Sequence, residues 1–394
     1  MGSATGLTAA GLKKLHAAAE RHVGDDKIPG LVALVARGGQ VHAEALGTLA
    51  VGGSPVARDS IFRIASTTKP ITAAAILALA AEGLFGLGDP VDRLLPELAG
   101  RRVLRRMDGP LDDTVPAARA ITIRDLLTFT FGFGMVGEMF APSNPFEPKP
   151  WPIVAATGEL RLATIGPPDP PVPPGPDTWI ASLGSLPLLA QPGERWMYNT
   201  GAQVLGVLAA RAAGKPFSQV LATRIFEPLG MRDTAFWTAD THRLATAYQP
   251  APHGLVVLDE PDGKWSRPPQ FGDGAAGLVS TADDLLAFAQ MLLRGGAPVL
   301  PPGAVRAMTT GQLTAAQKAR GGLVPGFFDR RSWGYCQAVY DNGAFGWDGG
   351  LGTSWLVDPT RDLTVIVLTQ RMFESPDPPQ VHRDIQAAAY AAIA

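Results

Sequence analysis

Cysteine is nearly absent. Cys336 is the only one in 394 residues, which excludes an intrachain disulfide and any Cys–His metal spacing. Nothing in that usage asks for an oxidising compartment. Cys336 itself lies in "SWGYCQAVY", which alternates like a strand, so a thiol nucleophile is not expected there. Charge is also scarce: 18% of residues are charged and the formal net charge is −2. No global field is therefore available to recruit nucleic acid or anionic lipid. Four arginines cluster in "RRVLRRMDG" (101–109), a local feature that reads as a solvated face. Long apolar runs are missing. The longest, Ala73–Ala81, has nine residues, against the roughly 18 that a membrane span needs. The first residues, "MGSATGLTAAGLKKLHAAAERHV", carry no unbroken apolar core of the signal-peptide kind, and a cytoplasmic location is expected.

The usual catalytic signatures are missing too. There is no Gly-x-Ser-x-Gly elbow, no His-Glu-x-x-His and no phosphate loop of the Walker type. The six histidines stand singly, as surface or structural residues do. One Gly-x-Gly-x-x-Gly occurs, "GFGMVG" at Gly132–Gly137. It follows a helical stretch and leads into proline-rich chain, the wrong context for a dinucleotide site. No metal or organic cofactor is expected.

What is present is a large apolar fraction, 46% of the residues, in a chain long enough for two lobes. Helical spacing marks residues 8–23 and 67–82, and "LVALVARGGQVHAEALGTLAV" reads as two strands joined at Gly38–Gly39. Twelve of the 36 prolines fall between Ala141 and Thr178. Such a segment is expected to avoid regular structure and to lie as an extended loop over the body, across a cleft. Helices return at "GAQVLGVLAARAAG" and "FSQVLATRIFEPLG". A helix capped by Ser280 or Thr281 follows, then the strands "WGYCQAVYD", "GTSWLVDP" and "DLTVIVLTQ" and a last helix. The order predicts an α/β (α+β) fold: an antiparallel sheet built from both termini, flanked by helices, with an inserted mainly helical lobe. The expected division is 1–80 with 234–394 for the sheet domain and 81–233 for the helical domain, which includes the 141–178 loop.

The chemistry centres on "SIFRIASTTKP". Ser66 and Lys69 lie three apart where a helix begins, and residues i and i+3 share a helix face. A serine hydroxyl needs a base to become a nucleophile, and a buried lysine whose pKa is depressed can serve. The helix N-terminus would favour a developing oxyanion. Alone the pair is common, and Ser66 could equally be a cap.

The surroundings add more. "FRIASTTKPITAAAILALAAEGLFGLGDPVDRLLPEL", "ITIRDLLTFTFGFG", "PGERWMYNTGAQVLG", "FEPLGMRDTAF", "AGLVSTADDLLAF" and "GWDGGLGTSWLVDP" occur in order. Together they resemble the serine β-lactamase/penicillin-binding-protein superfamily, most of all class C β-lactamases and family VIII carboxylesterases. The resemblance implies that Ser66 is the acylated nucleophile, with Lys69 and Tyr198 as its bases. Backbone N–H groups of Ser66 and Gly350 would hold the oxyanion. Tyr198 would suit the base role as a phenolate held between cations. Gly349 and Gly350 would let an edge strand approach the acyl carbonyl.

The departures matter as much. The family's Tyr-x-Asn is here Tyr198-Asn199-Thr200, which shifts the asparagine by one. Its third box, normally led by Lys or His, reads Trp347-Asp348-Gly349. Tryptophan cannot pair with a carboxylate, and an inward Asp348 would repel one. Phe129 and Phe131 stand where His and Ser are frequent, and with Phe133, Met135, Met139 and Phe140 they suggest an apolar wall. The expected function is therefore hydrolysis of carboxylic esters of small, mostly neutral molecules through a Ser66 acyl-enzyme. An acyltransferase or an amide or lactone hydrolase shares the first half-reaction. A β-lactamase or peptidase fits less well with Trp347, and a non-turnover binding module fits least. The expected partner is a small-molecule ester. The oligomeric state is open.

Overall fold

The computed structural model describes residues 6–141, 144–165 and 172–393, with Pro145 and Phe146 as backbone only. Its centre is a seven-stranded antiparallel sheet. In chain order the strands are β1 (Gly30–Arg37), β2 (Gln40–Gly47), β3 (Arg331–Trp333), β4 (Ala338–Tyr340), β5 (Phe345–Gly349), β6 (Thr353–Asp358) and β7 (Leu363–Thr369). In space they run β3-β4-β5-β6-β7-β1-β2. The join between the two ends of the chain is central. Seven residue pairs, from Leu31↔Thr369 to Arg37↔Leu363, zip β1 to β7. The expected sheet from both termini is the one observed.

Alternation along β1 explains its unbroken apolar run. Leu31, Ala33 and Val35 pack with Leu15 of the helix Ala9–Glu20 and Ile385 of the helix Gln380–Ala391. Val32, Leu34 and Ala36 face the other way, into the core that holds the helices Thr68–Ala81 and Ala282–Leu293. A sheet covered on both faces needs apolar residues at every position. Each buried Leu or Val side chain contributes about 1.5–3 kcal/mol by leaving water. The β1–β2 turn uses Gly38 and Gly39 at φ 55° and 79°, the left-handed pair a two-residue hairpin requires.

Three local expectations are corrected. "WGYCQAVYD" is not one strand: β3 ends at Trp333, Cys336 sits at φ 57°, and β4 begins at Ala338. The proline-rich stretch does form regular structure, a short pairing of Phe140–Ala141 with Asn144–Pro148 and a helix Pro152–Glu159. Proline is tolerated there because Pro152 occupies the first helical turn, where its missing N–H costs nothing. The densest part of that stretch, 166–171, lies outside the described residues. Finally, Arg101 is not solvated. It is 8% exposed and donates to the carbonyls of Leu183, Gly184 and Leu186 at the end of the helix Pro176–Ser185. Arg105 and Arg106 pair with Asp113 and Asp108.

Candidate active site

Ser66 lies in a 3-10 turn, Ala65–Thr67, that runs directly into the helix Thr68–Ala81. It is not a side-chain cap. Ala65 before it holds φ 43°, a costly conformation for a residue with a Cβ. Strand β5 clamps this turn from the sheet. A Cβ on Gly349 would lie 2.2 Å from the Ile64 carbonyl oxygen, so only glycine permits the approach. Thr353 Oγ1 donates to the same carbonyl at 2.9 Å. β5 is third of seven strands rather than an edge. Its pairing with β4 covers only Phe345 and Gly346, so Trp347–Gly349 have a ladder on the β6 side alone.

Lys69 is fully buried one turn below, and its Nζ donates to Ser66 Oγ at 2.8 Å and to the Ala275 carbonyl at 2.9 Å. The ammonium also lies 4.5 Å from the centroid of the Tyr198 ring. Burial pushes the amine down to about 7, with the charge of Asp273 pulling the other way. Desolvation of a cation wins over one partial counter-charge.

Tyr198 enters from the turn before the helix Thr200–Ala213. Its backbone pairs with Met135 through N–H···O bonds of 2.7 and 2.9 Å. Its hydroxyl accepts a 2.8 Å hydrogen bond from Trp347 Nε1. Burial pushes the phenol up, and hydrogen bonds to Ser66 and Trp347 only partly offset this. A resting phenolate is thus disfavoured, contrary to the expectation from the sequence. The nearest nitrogen donor is a neutral indole, and the one nearby amine is itself depressed.

Asn199 follows with φ 83° and ψ −65°, closed by Thr200 N–H to the Tyr198 carbonyl at 3.2 Å. This is the rare, strained form of γ-turn. Asn199 lines the cavity. Thr200 does not substitute for the shifted asparagine, because it is fully buried with its hydroxyl on Thr164.

These groups open on a cavity of about 740 Å³ lined by Ser66, Tyr198, Asn199, Trp347, Asp348 and Gly350 among others. Apolar wall is supplied by Met135, Phe140, Ile165, Leu323, Leu351 and Phe373. Phe129 and Phe131 are not part of it. Both are fully buried, and Phe129 packs its ring against Trp196, Tyr198 and Trp333. The backbone explains the displacement: Met197 N–H binds the Phe129 carbonyl at 2.8 Å, so this stretch backs the tyrosine rather than facing the cavity. Gly134 of "GFGMVG" serves the same packing, since a Cβ there would lie 2.5 Å from the Tyr198 carbonyl oxygen. Asp348 is partly exposed at the wall, and its apolar surroundings push its carboxyl up while the charge of Arg331 pulls it down.

Two connections of this network escaped sequence reasoning. The hydrogen bond from Trp347 to Tyr198 makes the tryptophan part of the polar network, not only a missing cation. Asp273 and the Ala275 carbonyl also reach Lys69, from a segment, "DGAAG", with no signal beyond its glycines.

The family model for Beta-lactamase matches residues 15–390. The chain belongs to the Beta-lactamase family. Protein Rv1367c of Mycobacterium tuberculosis is 39% identical over 81% of this chain and 79% of its own. Esterase EstB of Burkholderia gladioli is 31% identical over 94% of each. Among solved structures, EstCE1, titled a hydrolase with promiscuous acyltransferase activity, superposes with a TM-score of 0.78 at 25% identity, over 97% of this chain and 98% of that one. These relatives support ester hydrolysis or acyl transfer on this scaffold. Among the described residues, no helix is long and apolar enough to cross a membrane.

Proposed function

We propose that the chain is a serine carboxylesterase acting on neutral esters with apolar acyl groups. The observation that carries the reading is the buried 2.8 Å contact between Lys69 Nζ and Ser66 Oγ at the floor of a largely apolar cavity. Near neutral pH part of the amine population is unprotonated, and the same contact can then run with the hydroxyl as donor. Ser66 Oγ attacks the ester carbonyl as its proton passes to Lys69. The oxyanion forms between the N–H groups of Ser66 and Gly350. The neutral phenol of Tyr198, hydrogen-bonded to Ser66, gives its proton to the departing alkoxide while Trp347 N–H steadies the phenol oxygen, and the proton held by Lys69 restores the phenol. The alcohol leaves, and water enters by the reverse route to release the acid.

Trp347 at the head of the third box supports neutral substrates, because an indole stands where the family's carboxylate-binding cation would, although Lys264, Arg267 and Arg331 line other parts of the cavity. A wide cavity suits a bulky acceptor as well as water, so acyl transfer to an alcohol is the second reading. The test is nitrophenol release from p-nitrophenyl butyrate by the wild type and by Ser66→Ala. Turnover that falls to background in the variant supports the reading, and turnover that survives removes Ser66 as nucleophile.

A further inference from the structure

Lys69 has an unusual receptor. Its second hydrogen bond goes to a main-chain oxygen, Ala275 O, in the loop Asp273–Gly277. That loop is tied down from several sides. Thr72 Oγ1, one turn along the Lys69 helix, donates to the Gly274 carbonyl at 2.7 Å. A Cβ on Gly274 would lie 2.5 Å from the Ala202 carbonyl oxygen, so the loop is pressed against the helix that follows Tyr198. Asp273 organises the turn itself. Its Oδ1 accepts from Ala275 N–H at 2.7 Å and its Oδ2 from Gln203 Nε2 at 3.2 Å, and the Ala276 N–H adds a further bond. Gln203 is in turn anchored to the Ala163 carbonyl at 3.2 Å. A continuous chain of contacts therefore runs Gln203–Asp273–Ala275–Lys69–Ser66.

The charges around the amine are few. Cys336, behind it, is pushed up by burial and stays a thiol. Tyr198 presents its ring face and is likewise held neutral. Asp348 acts on Tyr198 and not on Lys69. Asp273 is the one carboxylate whose charge bears on the amine; burial pushes its carboxyl up, and the Ala275 and Ala276 N–H groups, the Lys69 charge and Gln203 pull it back toward the ionised form.

We propose that Asp273 is a positioning residue for acyl transfer: its carboxylate fixes the turn that receives Lys69 and supplies the counter-charge that lets the buried amine keep the proton taken from Ser66. An amine in an apolar site with no anion would shed its proton readily but hold the serine proton poorly, and a base too weak for its task slows the proton transfer. Asp273 corrects that balance without touching the substrate's reacting atoms. The inference rests on the serine-nucleophile part of the proposed function and is independent of what resolves the acyl-enzyme.

The experiment follows the pH dependence of Ser66 labelling by an alkyl fluorophosphonate, read as intact mass. In that step the serine oxygen bonds to phosphorus, fluoride leaves, and the serine proton passes to Lys69. Asp273→Asn keeps an oxygen for the Ala275 N–H, removes the charge and gives up the acceptor that Gln203 Nε2 uses. Its labelling-rate profile is expected to shift its acid midpoint down by about one pH unit. Its plateau is expected to fall about tenfold. Asp273→Glu is expected to restore the midpoint. A merely structural role would lower the rate at all pH values with the midpoint unmoved, and that result overturns the proposal. If Asp273→Asn does not fold, Asp273→Ser carries the same comparison, because a serine hydroxyl also accepts from the residue two positions on. Failure of the wild type to label at any pH, with Ser66→Ala equally inert, would overturn the activated serine and this inference with it. Labelling with the expected shift but no ester turnover would leave Asp273 in place and refute only the hydrolase reading.

Discussion

Replacing Lys69 with methionine should make the protein more stable while abolishing its chemistry. The amine falls from 10.5 to about 7 because the fold strips its water. At about 1.36 kcal/mol per pH unit, that gap corresponds to roughly 5 kcal/mol of native-state cost. Below pH 7 the lysine is protonated in both states and the full cost is present. Between 7 and 10.5 the unfolded chain binds the proton that the native protein has lost, so wild-type stability rises with pH across that window. Methionine fills a similar volume without charge. It leaves the Ala275 carbonyl without its donor, a loss of about 1–3 kcal/mol. The expected net gain is then about 2–4 kcal/mol at pH 6, shrinking to nothing or a small loss near pH 10. Urea unfolding of both proteins at about pH 6, 8 and 9.5 measures it. A gain that does not change with pH, or a loss at pH 6, would refute the argument that this amine is held at the expense of stability.

Other consequences follow from the same geometry. Trp347→Phe keeps the aromatic contact with Trp333 (4.7 Å between centroids) and removes the 2.8 Å bond to Tyr198. It should lower kcat by about 5- to 150-fold, or about 1–3 kcal/mol, with KM for a neutral nitrophenyl ester little changed. Gly349→Ala pushes a methyl to within 2.2 Å of the Ile64 carbonyl oxygen. It should cost about 1–3 kcal/mol of stability by denaturant midpoint, and more in activity, because the yielding element is the Ser66 turn. His382, fully buried against Ser354 with Nδ1 and Oγ 2.8 Å apart, is pushed from 6.5 down to about 3, chiefly by burial. It is neutral when folded and protonates when unfolded. Stability should therefore fall as pH drops from about 6.5 toward 3, and His382→Asn should flatten that part of the acid-unfolding curve.

The sheet was legible because its strands are either mostly apolar, like β1 and β7, or marked by glycine turns such as Gly38–Gly39. Ser66 and Lys69 were legible through their spacing and Tyr198 through the family resemblance, and the structure brings all three together around one oxygen. Legibility failed where position depends on backbone pairing. Phe129 and Phe131 look like cavity residues in one dimension, but the bond from Met197 to the Phe129 carbonyl turns them into the core behind Tyr198. The helix Pro152–Glu159 was hidden by the prolines at and before its start, since composition does not say which of them falls in a first turn. Trp347 was read for the cation it replaces. That its indole N–H reaches the phenol of a residue 149 positions away is information only the fold contains. Asp273 lacked any local motif, and its link to Lys69 runs through a main-chain carbonyl that sequence does not announce.

The most direct test of the account is to trap the acyl-enzyme. The protein is mixed with p-nitrophenyl butyrate, quenched in acid within the first turnovers, digested, and its peptides weighed. A butyryl group on the peptide carrying Ser66, absent in Ser66→Ala, is the result this account predicts. Nitrophenol release with the butyryl group on another residue, or with no covalent species formed, would contradict it.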